Sequence, residues 1–183
     1  MFGARKRNPK DIYHQRRRLT DILAAHVKWT RSEPDGVQAD LCGCDLTRAD
    51  LSGVNLRFAK LRGCKLDEAV LEEARIGNAD FTGSSLRKAR IVKSDATEAV
   101  FDDCGLEGAD LSGTECFRAS FRNARAAHAN LRGTNLRACV LAGADFSDCD
   151  FSSASLREVD LTGVKLEGAV LNTAVVRDIV RSE

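Results

Sequence analysis

The strongest constraint on the fold of this chain is a five-residue repeat that runs through most of its length. From Leu41 to Val176 a centre recurs at every fifth position, giving 28 centres without a slip in register. Almost all the centres are large and apolar, and only Ala96, Cys116 and Ala126 are small. Two positions before each centre the residue is small, and it is alanine in 16 of the 28 repeats. Ten of the fourteen glycines stand two positions after a centre.

This spacing excludes both a continuous helix and a straight strand. On an α-helix, steps of five residues would spread the centres around the whole circumference, because one turn takes about 3.6 residues. On a straight strand, the odd spacing would send alternate centres to opposite faces. All the centres share one interior only if the chain turns a corner in every repeat, and glycine tolerates the positive φ of such corners. Pro9 and Pro34 lie outside the repeats, as a backbone ladder that needs every N–H requires.

The repeat, as in ADLSG at 49–53 and ANLRG at 129–133, closely resembles the A-(D/N)-L-x-x consensus of the pentapeptide-repeat family. The resemblance covers about three quarters of the chain. It implies an all-β fold, a right-handed quadrilateral β-helix with four pentapeptides in each coil of twenty residues. The centre and the small residue would both point inward, and about seven coils at roughly 4.8 Å each would form a rod about 34 Å long.

A coil of twenty residues predicts how the interior is packed. Phe81, Phe101 and Phe121 are one coil apart and are expected to stack on one inner wall. Each of their coils also contains one undersized centre, which close packing favours. The coil that contains Phe146 and Phe151 has no small centre, and we expect it to be wider.

The sequence predicts three segments: a basic leader and N-terminal capping helix at 1–36, the β-solenoid at 37–178 and a C-terminal tail at 179–183. Residues 11–29 are predicted to form the helix, since several of their apolar positions follow one helical face. A solenoid exposes an apolar cross-section at each end unless it is capped. We therefore expect the helix to cover the first coil, and binding of a partner by the helix is the alternative.

Apolar residues also crowd the other end of the repeats. If they are uncovered, they favour a homodimer through this end; a cap formed by the chain itself is the alternative. The residues concerned are Val170, Leu171, Val175, Val176, Ile179 and Val180.

The sequence contains no signature of catalysis, of a cofactor site or of a metal site, and we expect a protein that is not an enzyme. Phosphate loops, dinucleotide fingerprints, H-E-x-x-H and G-x-S-x-G are all missing. Of the seven cysteines only Cys42 falls in an outward position, so the other six are expected to be core thiols. Cys44 and Cys64 are one coil apart, which in principle permits a disulfide. The odd number of thiols, with no apolar run long enough for a membrane span or signal peptide, fits the cytoplasm.

The charge pattern indicates few places where a partner can bind. Arg137, Arg157 and Arg177 share one outward column with Phe117, and Phe58 lies outward on the same side. Because arginine beside exposed aromatic residues is typical of protein interfaces, this column is a candidate site for an acidic protein partner. The other charges are expected to neutralise one another between coils. Expected pairs twenty residues apart are Arg90 with Asp110, Glu98 with Arg118 and Asp102 with Arg122.

Two other partners are considered. The family resemblance implies that DNA gyrase is a candidate, because some members, including quinolone-resistance proteins, bind gyrase and certain of them mimic DNA. However, a 34 Å rod of B-DNA carries on the order of twenty negative charges, whereas residues 39–178 have a net charge of −4, from 18 basic and 22 acidic residues. The basic leader, residues 1–18, is a candidate contact for nucleic acid or an anionic membrane.

Overall fold

The computed structural model describes residues 5–177, and from Ala39 onward the backbone winds in coils of twenty residues. Parallel bridges join residues twenty positions apart in four columns, from Asp40 with Lys60 to Asp150 with Val170. In each coil the N–H of a centre donates to a carbonyl in the next coil, as from Leu41 N to Lys60 O at 2.8 Å. The predicted period of twenty residues and four sides is therefore confirmed.

The corners explain the position of the glycines. At all 27 corners from Gly43 to Thr173 the residue has a positive φ, and ten of these residues are glycine. A hydrogen bond from the N–H three residues after the centre closes most of these turns, as from Cys44 N to Leu41 O at 2.9 Å. This geometry, with positive φ at the second central residue, is that of a type II turn. Seventeen corners hold a residue other than glycine, so the solenoid tolerates the strain of that conformation repeatedly.

The aspartate or asparagine before many centres has a local role. The N–H just after the centre is not part of the ladder, and the preceding carboxylate or amide accepts from it. Asp45 Oδ1 accepts from Thr47 N at 3.0 Å, and Asp145 Oδ1 accepts from Ser147 N at 3.1 Å. Hydrogen bonds from the backbone and side chain of Thr47 hold the pKa of Asp45 below its usual value, since they stabilise the ionised form.

The interior is formed by the centres and the small residues. All the centres from Leu41 to Leu156 are buried. The phenylalanine stack is confirmed: the ring centroids of Phe81 and Phe101 are 5.1 Å apart, those of Phe101 and Phe121 are 5.0 Å apart, and the rings are nearly parallel. The undersized centres in the same coils leave room for these rings.

The coil with two phenylalanines packs differently. Phe146 meets Phe151 edge to face at 5.5 Å. On one side of this coil the ladder hydrogen bond expected from Leu141 N to Asp160 O does not form, although its equivalents form in the preceding coils. A cavity of about 390 Å³ lies at this position, lined in part by Cys139 and Leu141. Looser contact therefore occurs where the sequence predicted a wider coil.

The N-terminal segment corrects one prediction. The helix does not span 11–29; α1 runs from Leu19–Thr30 and follows a 3-10 turn at Pro9–Asp11 and a hairpin of β1, Tyr13–His14, and β2, Arg17–Arg18. The hairpin turn has positive φ at its two central residues, 49° and 65°. This conformation matches the twist of a hairpin but interrupts a helix.

The first coil is covered by this segment. Ile12, Leu19 and Ile22 are buried and belong to the same hydrophobic core as the repeats. Arg7 extends one ladder column, because its N–H donates to Arg48 O at 2.7 Å and its carbonyl accepts from Asp50 N at 3.0 Å. Within residues 5–177, no helix is long and apolar enough to cross a membrane.

Candidate protein-binding surface

The predicted arginine column forms on one side of the solenoid, which we call the Phe117 face and define by Phe117, Arg137, Arg157 and Arg177. Two short parallel strands carry its last part: β3, Ser155–Arg157, pairs with β4, Val175–Arg177, and places Arg157 beside Arg177. The backbone N–H of Arg118, the residue after Phe117, donates to Arg137 O at 3.0 Å. These four side chains are therefore brought together as the sequence predicted.

Phe117 contacts two guanidinium groups. The guanidinium carbon of Arg118 lies 4.9 Å from the centre of the Phe117 ring, and that of Arg137 lies 5.6 Å away. Contacts of this kind are cation–π interactions. Phe117 is thus a partly buried aromatic side chain with two positive charges close to its ring.

The arginines of the face differ in their pairing. Arg137 forms an ion pair with Glu158 at 2.8 Å, in which both side chains are about half exposed. Arg157 and Arg177 are exposed, and the described residues provide no ion pair to either. The free positive charge is therefore concentrated at the C-terminal end of the face.

Many of the remaining charges form ion pairs with one another, but the paired residues are often eighteen positions apart in the sequence and not the expected twenty. Glu98 and Arg118 lie twenty residues apart and form a weak contact at 4.0 Å, as predicted. Arg90 and Asp110 are bridge neighbours, as predicted, but the ion pair of Arg90 is with Glu72 at 2.6 Å, eighteen residues away. The diagonal contact is favoured because it joins two adjacent outward columns of one side.

The coil at 119–138, which has four arginines and no acid, is also largely neutralised. Arg125 pairs with Glu107 at 3.3 Å and Arg132 with Asp150 at 3.0 Å. Asp102 does not pair with the Arg122 guanidinium as expected; it accepts from the Arg122 backbone N–H at 2.9 Å. Such exposed pairs contribute little to stability, but they leave little unpaired charge on these sides.

Part of the basic leader is used within the molecule. Lys6 pairs with Asp50 and Arg7 with Asp45, each at 3.3 Å. Arg18 donates to the hydroxyl of Tyr13 at 2.9 Å. Two of the basic groups considered for nucleic acid or membrane binding therefore hold the leader against the first coil.

The cysteines and histidines do not form a site. The six inward thiols are buried and free, and Cys64 Sγ donates to Leu41 O at 2.9 Å instead of forming a disulfide. Burial raises the pKa of Cys64 and Cys104 to about 12. His26 is fully buried and its Nδ1 accepts from Ala39 N at 3.1 Å, and burial lowers its pKa. The described residues contain no group of three or more side chains suited to a metal ion.

Two family models match the repeats. The model described as "Pentapeptide repeat region" matches residues 99–175, and the model described as "Pentapeptide repeats (8 copies)" matches 37–67, 64–103 and 79–115. This chain belongs to the pentapeptide-repeat family. Comparison with curated protein sequences gave no match.

Solved structures of other pentapeptide-repeat proteins resemble the chain. A trypsin-treated variant of QnrB1, a plasmid-mediated fluoroquinolone resistance protein, is 19% identical, with a TM-score of 0.55, over 72% of this chain and 76% of that chain. HetL, a protein involved in heterocyst differentiation regulation from the cyanobacterium Nostoc sp. strain PCC 7120, is 23% identical with a TM-score of 0.47, over 78% and 85% of the two chains. The likeness to QnrB1 shows the fold alone.

The C-terminal end of this pentapeptide-repeat protein exposes part of its interior. Val170, Leu171, Val175 and Val176 are each about two-fifths exposed. Ile179 and Val180, which the sequence placed in the same cluster, lie outside the described residues. Homodimerisation through this end stays a prediction.

One feature of the surface was missed by the sequence analysis. A cleft of about 560 Å³ lies between the end of α1 and the first two coils, and Trp29, Arg57, Phe58 and Arg75 line part of it. Phe58 was noted in the sequence, but nothing in the repeat register joins a residue of the helix to a corner of the first coil. Only the fold of the link between the helix and the repeats brings them together.

Proposed function

We propose that this protein is a non-catalytic scaffold that binds an acidic protein partner through the Phe117 face. Pentapeptide-repeat proteins are generally interaction scaffolds and not enzymes, and repeat solenoids offer extended rigid surfaces for binding. The observation that carries the proposal is Phe117 in contact with Arg118 and Arg137, in one column with the exposed Arg157 and Arg177, to which residues 5–177 provide no ion pair. Aromatic and arginine side chains are the ones most enriched where binding energy is concentrated.

The chemistry of this face favours carboxylates on the partner. A guanidinium group binds a carboxylate with two parallel hydrogen bonds, and Arg157 and Arg177 are neighbours along the strand pair β3 and β4. Two unpaired like charges on adjacent strands repel each other mildly. An acidic partner would remove that repulsion, whereas a basic one would add to it.

A charge-reversal experiment tests this proposal. The variant Arg137→Glu/Arg157→Glu/Arg177→Glu would be used as bait in a pull-down from the native host, beside the unchanged protein, and captured proteins identified by mass spectrometry. We expect the unchanged chain to capture an acidic protein, and we expect the captured amount of that protein to fall at least tenfold with the variant. Its binding would then be measured with the purified partner by calorimetry.

The matched control changes the same number of charges on other sides. The variant Arg122→Glu/Arg125→Glu/Arg132→Glu places three reversals away from the Phe117 face, and it should retain the partner. Equal capture by both variants and the unchanged chain would contradict the proposal. Equal loss in both variants would show that only overall charge matters, which also contradicts it.

DNA gyrase is the second candidate partner. It is favoured by the fold shared with QnrB1, a fluoroquinolone resistance protein. The net charge of the repeats, −4 from 18 basic and 22 acidic residues, is far below what mimicry of DNA over the same length needs. A gyrase supercoiling assay with and without a fluoroquinolone separates the two candidates, because the scaffold proposal expects no change in either condition.

A further inference from the structure

The cleft beside α1 is a second place where the molecule has the features of a binding site. We call it the α1 cleft and define it by Trp29, Asn55, Arg57, Phe58 and Arg75, five of the residues that line its volume of about 560 Å³. That volume lies within the range of about 300–1,000 Å³ found for ligand sites. The cleft is some three coils away from Phe117 along the rod.

The cleft is formed by the way the helix ends. After Thr30 the link turns back, and Gly36 packs so closely on the backbone of Trp29 that an added Cβ would lie 2.4 Å from Trp29 N. Asn55 Nδ2 donates to Thr30 Oγ1 at 3.1 Å and joins the last turn of α1 to the wall of the first coil. These contacts fix Trp29 at the rim of the cleft.

Two large aromatic side chains remain open to solvent there. Trp29 is 36% exposed and Phe58 is 44% exposed, and their rings meet edge to face at 6.3 Å. The guanidinium carbon of Arg57 lies 5.8 Å from the centre of the Phe58 ring. Exposed aromatic rings beside an arginine are typical of surfaces that a binding partner covers.

The cleft has an excess of positive charge. Arg31 pairs with Glu33 at 3.6 Å and Arg57 with Asp95 at 3.7 Å. Arg75 is exposed and forms no ion pair within residues 5–177. The cleft therefore presents Arg75, which has no ion pair within those residues, beside the weakly paired Arg57, whereas Arg31 does not line it.

An apolar extension continues from the same residues. A second cavity of about 370 Å³ shares Asn55 and Arg75 with the α1 cleft and is lined by Leu23, Val27 and Val54. The two cavities together form a groove along α1, with aliphatic side chains at one part and arginine and aromatic side chains at the other. A small anion would use only one part of this groove.

We propose that the α1 cleft binds an extended acidic peptide segment of a protein partner. One carboxylate of the segment would pair with Arg75 and another with Arg57, displacing or sharing the weak contact to Asp95. An aliphatic side chain on the far side of the carboxylate that pairs with Arg75 would lie against Val27 and Val54 in the second cavity, which buries apolar surface. This site shares no residue with the Phe117 face, although Arg57 and Phe117 belong to the same outward column, three coils apart.

The chain contains a single tryptophan, so fluorescence of Trp29 reports binding at the cleft directly. The probe is the blocked peptide Glu-Leu-Glu-Leu-Glu-Glu, titrated into the full chain at low salt. We expect a saturable change in Trp29 emission that weakens at 0.5 M sodium chloride, because salt screens ion pairs. Lys-Leu-Lys-Leu-Lys-Lys, which lacks the carboxylates, and Glu-Ser-Glu-Ser-Glu-Glu, which lacks the aliphatic side chains, should each bind at least tenfold more weakly.

Variants of Arg75 test the assignment. Arg75→Glu should raise the dissociation constant at least tenfold and Arg75→Lys by less, while Arg122→Glu, an exposed arginine on another side, should leave it unchanged. Circular dichroism and the thermal midpoint of each variant confirm that the fold is kept. Failure of the acidic peptide to change Trp29 emission, or equal affinity in Arg75→Glu, would overturn the proposal. Tighter binding of a hexathymidine oligonucleotide than of the peptide would overturn it as well, in favour of nucleic acid.

Discussion

A double-mutant cycle on Phe101 and Cys116 tests whether large and small centres compensate within one coil. Both residues are fully buried, and they are the largest and smallest centres of their coil. In the first coil the equivalent positions are Leu41 and Leu56. The variant Phe101→Leu/Cys116→Leu therefore converts one combination that the solenoid uses into another that it also uses.

The expected magnitudes follow from the contacts of Phe101. Its ring stacks on Phe81 at 5.1 Å and on Phe121 at 5.0 Å, and each such pair contributes about 0.5–1.5 kcal/mol beyond burial. The lost stacking should therefore lower the free energy of unfolding of Phe101→Leu by about 1–3 kcal/mol, and the space left by the ring adds a cavity cost to this loss. Cys116→Leu alone overfills the coil, which costs about 1–3 kcal/mol. Simple addition therefore predicts a loss of about 2–6 kcal/mol plus the cavity cost for the double variant.

Compensation predicts a smaller loss. In the double variant the added leucine fills the space left by the ring, so only the stacking is lost and the cost stays at about 1–3 kcal/mol. The four proteins would be compared by urea denaturation followed by circular dichroism. As a control, Cys116→Leu would be combined with Phe151→Leu two coils away, where the effects should add. Additivity within about 0.5 kcal/mol for Phe101 and Cys116 would refute the packing argument.

Four shorter tests address other features. Gly36→Ala should lower the temperature at which the N-terminal cap unfolds, because the new Cβ would lie 2.6 Å from Trp29 Cα. The control is Gly53→Ala, where nothing lies within 4 Å of an added Cβ and only the positive φ opposes alanine, at about 1 kcal/mol. Calorimetry should show a larger drop in the unfolding temperature for Gly36→Ala than for Gly53→Ala. In the native protein only Cys42 should react rapidly with a thiol reagent, whereas in denaturant all seven cysteines should react. Rapid reaction of more than one thiol in the native protein would contradict the assignment of the other six cysteines to the core. The aspartates with lowered pKa are stabilising above their unfolded pKa of about 4, so the urea midpoint should fall below pH 4; a constant midpoint from pH 6 to 3 would count against this. Val176→Asp should convert an expected dimer to a monomer by light scattering, and a strictly monomeric unchanged protein at micromolar concentration would exclude the dimer.

The solenoid could be predicted from the sequence because a single local rule is repeated. Every corner from Gly43 to Thr173 has a positive φ, and every centre from Leu41 to Leu156 is buried, so the repeats reinforce one register. The stacking of Phe81, Phe101 and Phe121 followed from that register together with the coil of twenty residues that the family resemblance implies. The Phe117 face followed in the same way, since an offset of twenty residues places Arg157 beside Arg177.

The irregular parts could not be predicted because nothing repeats there. The hairpin before α1 turns at Gln15 and Arg16, which have positive φ but are not the glycine or asparagine typical of such turns. Ion pairs between residues eighteen positions apart, such as Arg90 with Glu72, depend on the direction in which the long side chains extend across the surface. The five-residue period does not encode that direction. The α1 cleft depends on the close contact of Gly36 with the helix, a tertiary contact with no local signal.

The two ends of the rod differ in a way that limits growth. At one end Arg7 occupies one ladder column and Ile12, Leu19 and Ile22 pack on the core of the first coils, so a further coil could add there only by displacing them. At the other end Leu171 and Val176 are about two-fifths exposed. If two molecules associated through that end, both outer ends of the pair would be covered ones, and growth by end-to-end addition would stop at two.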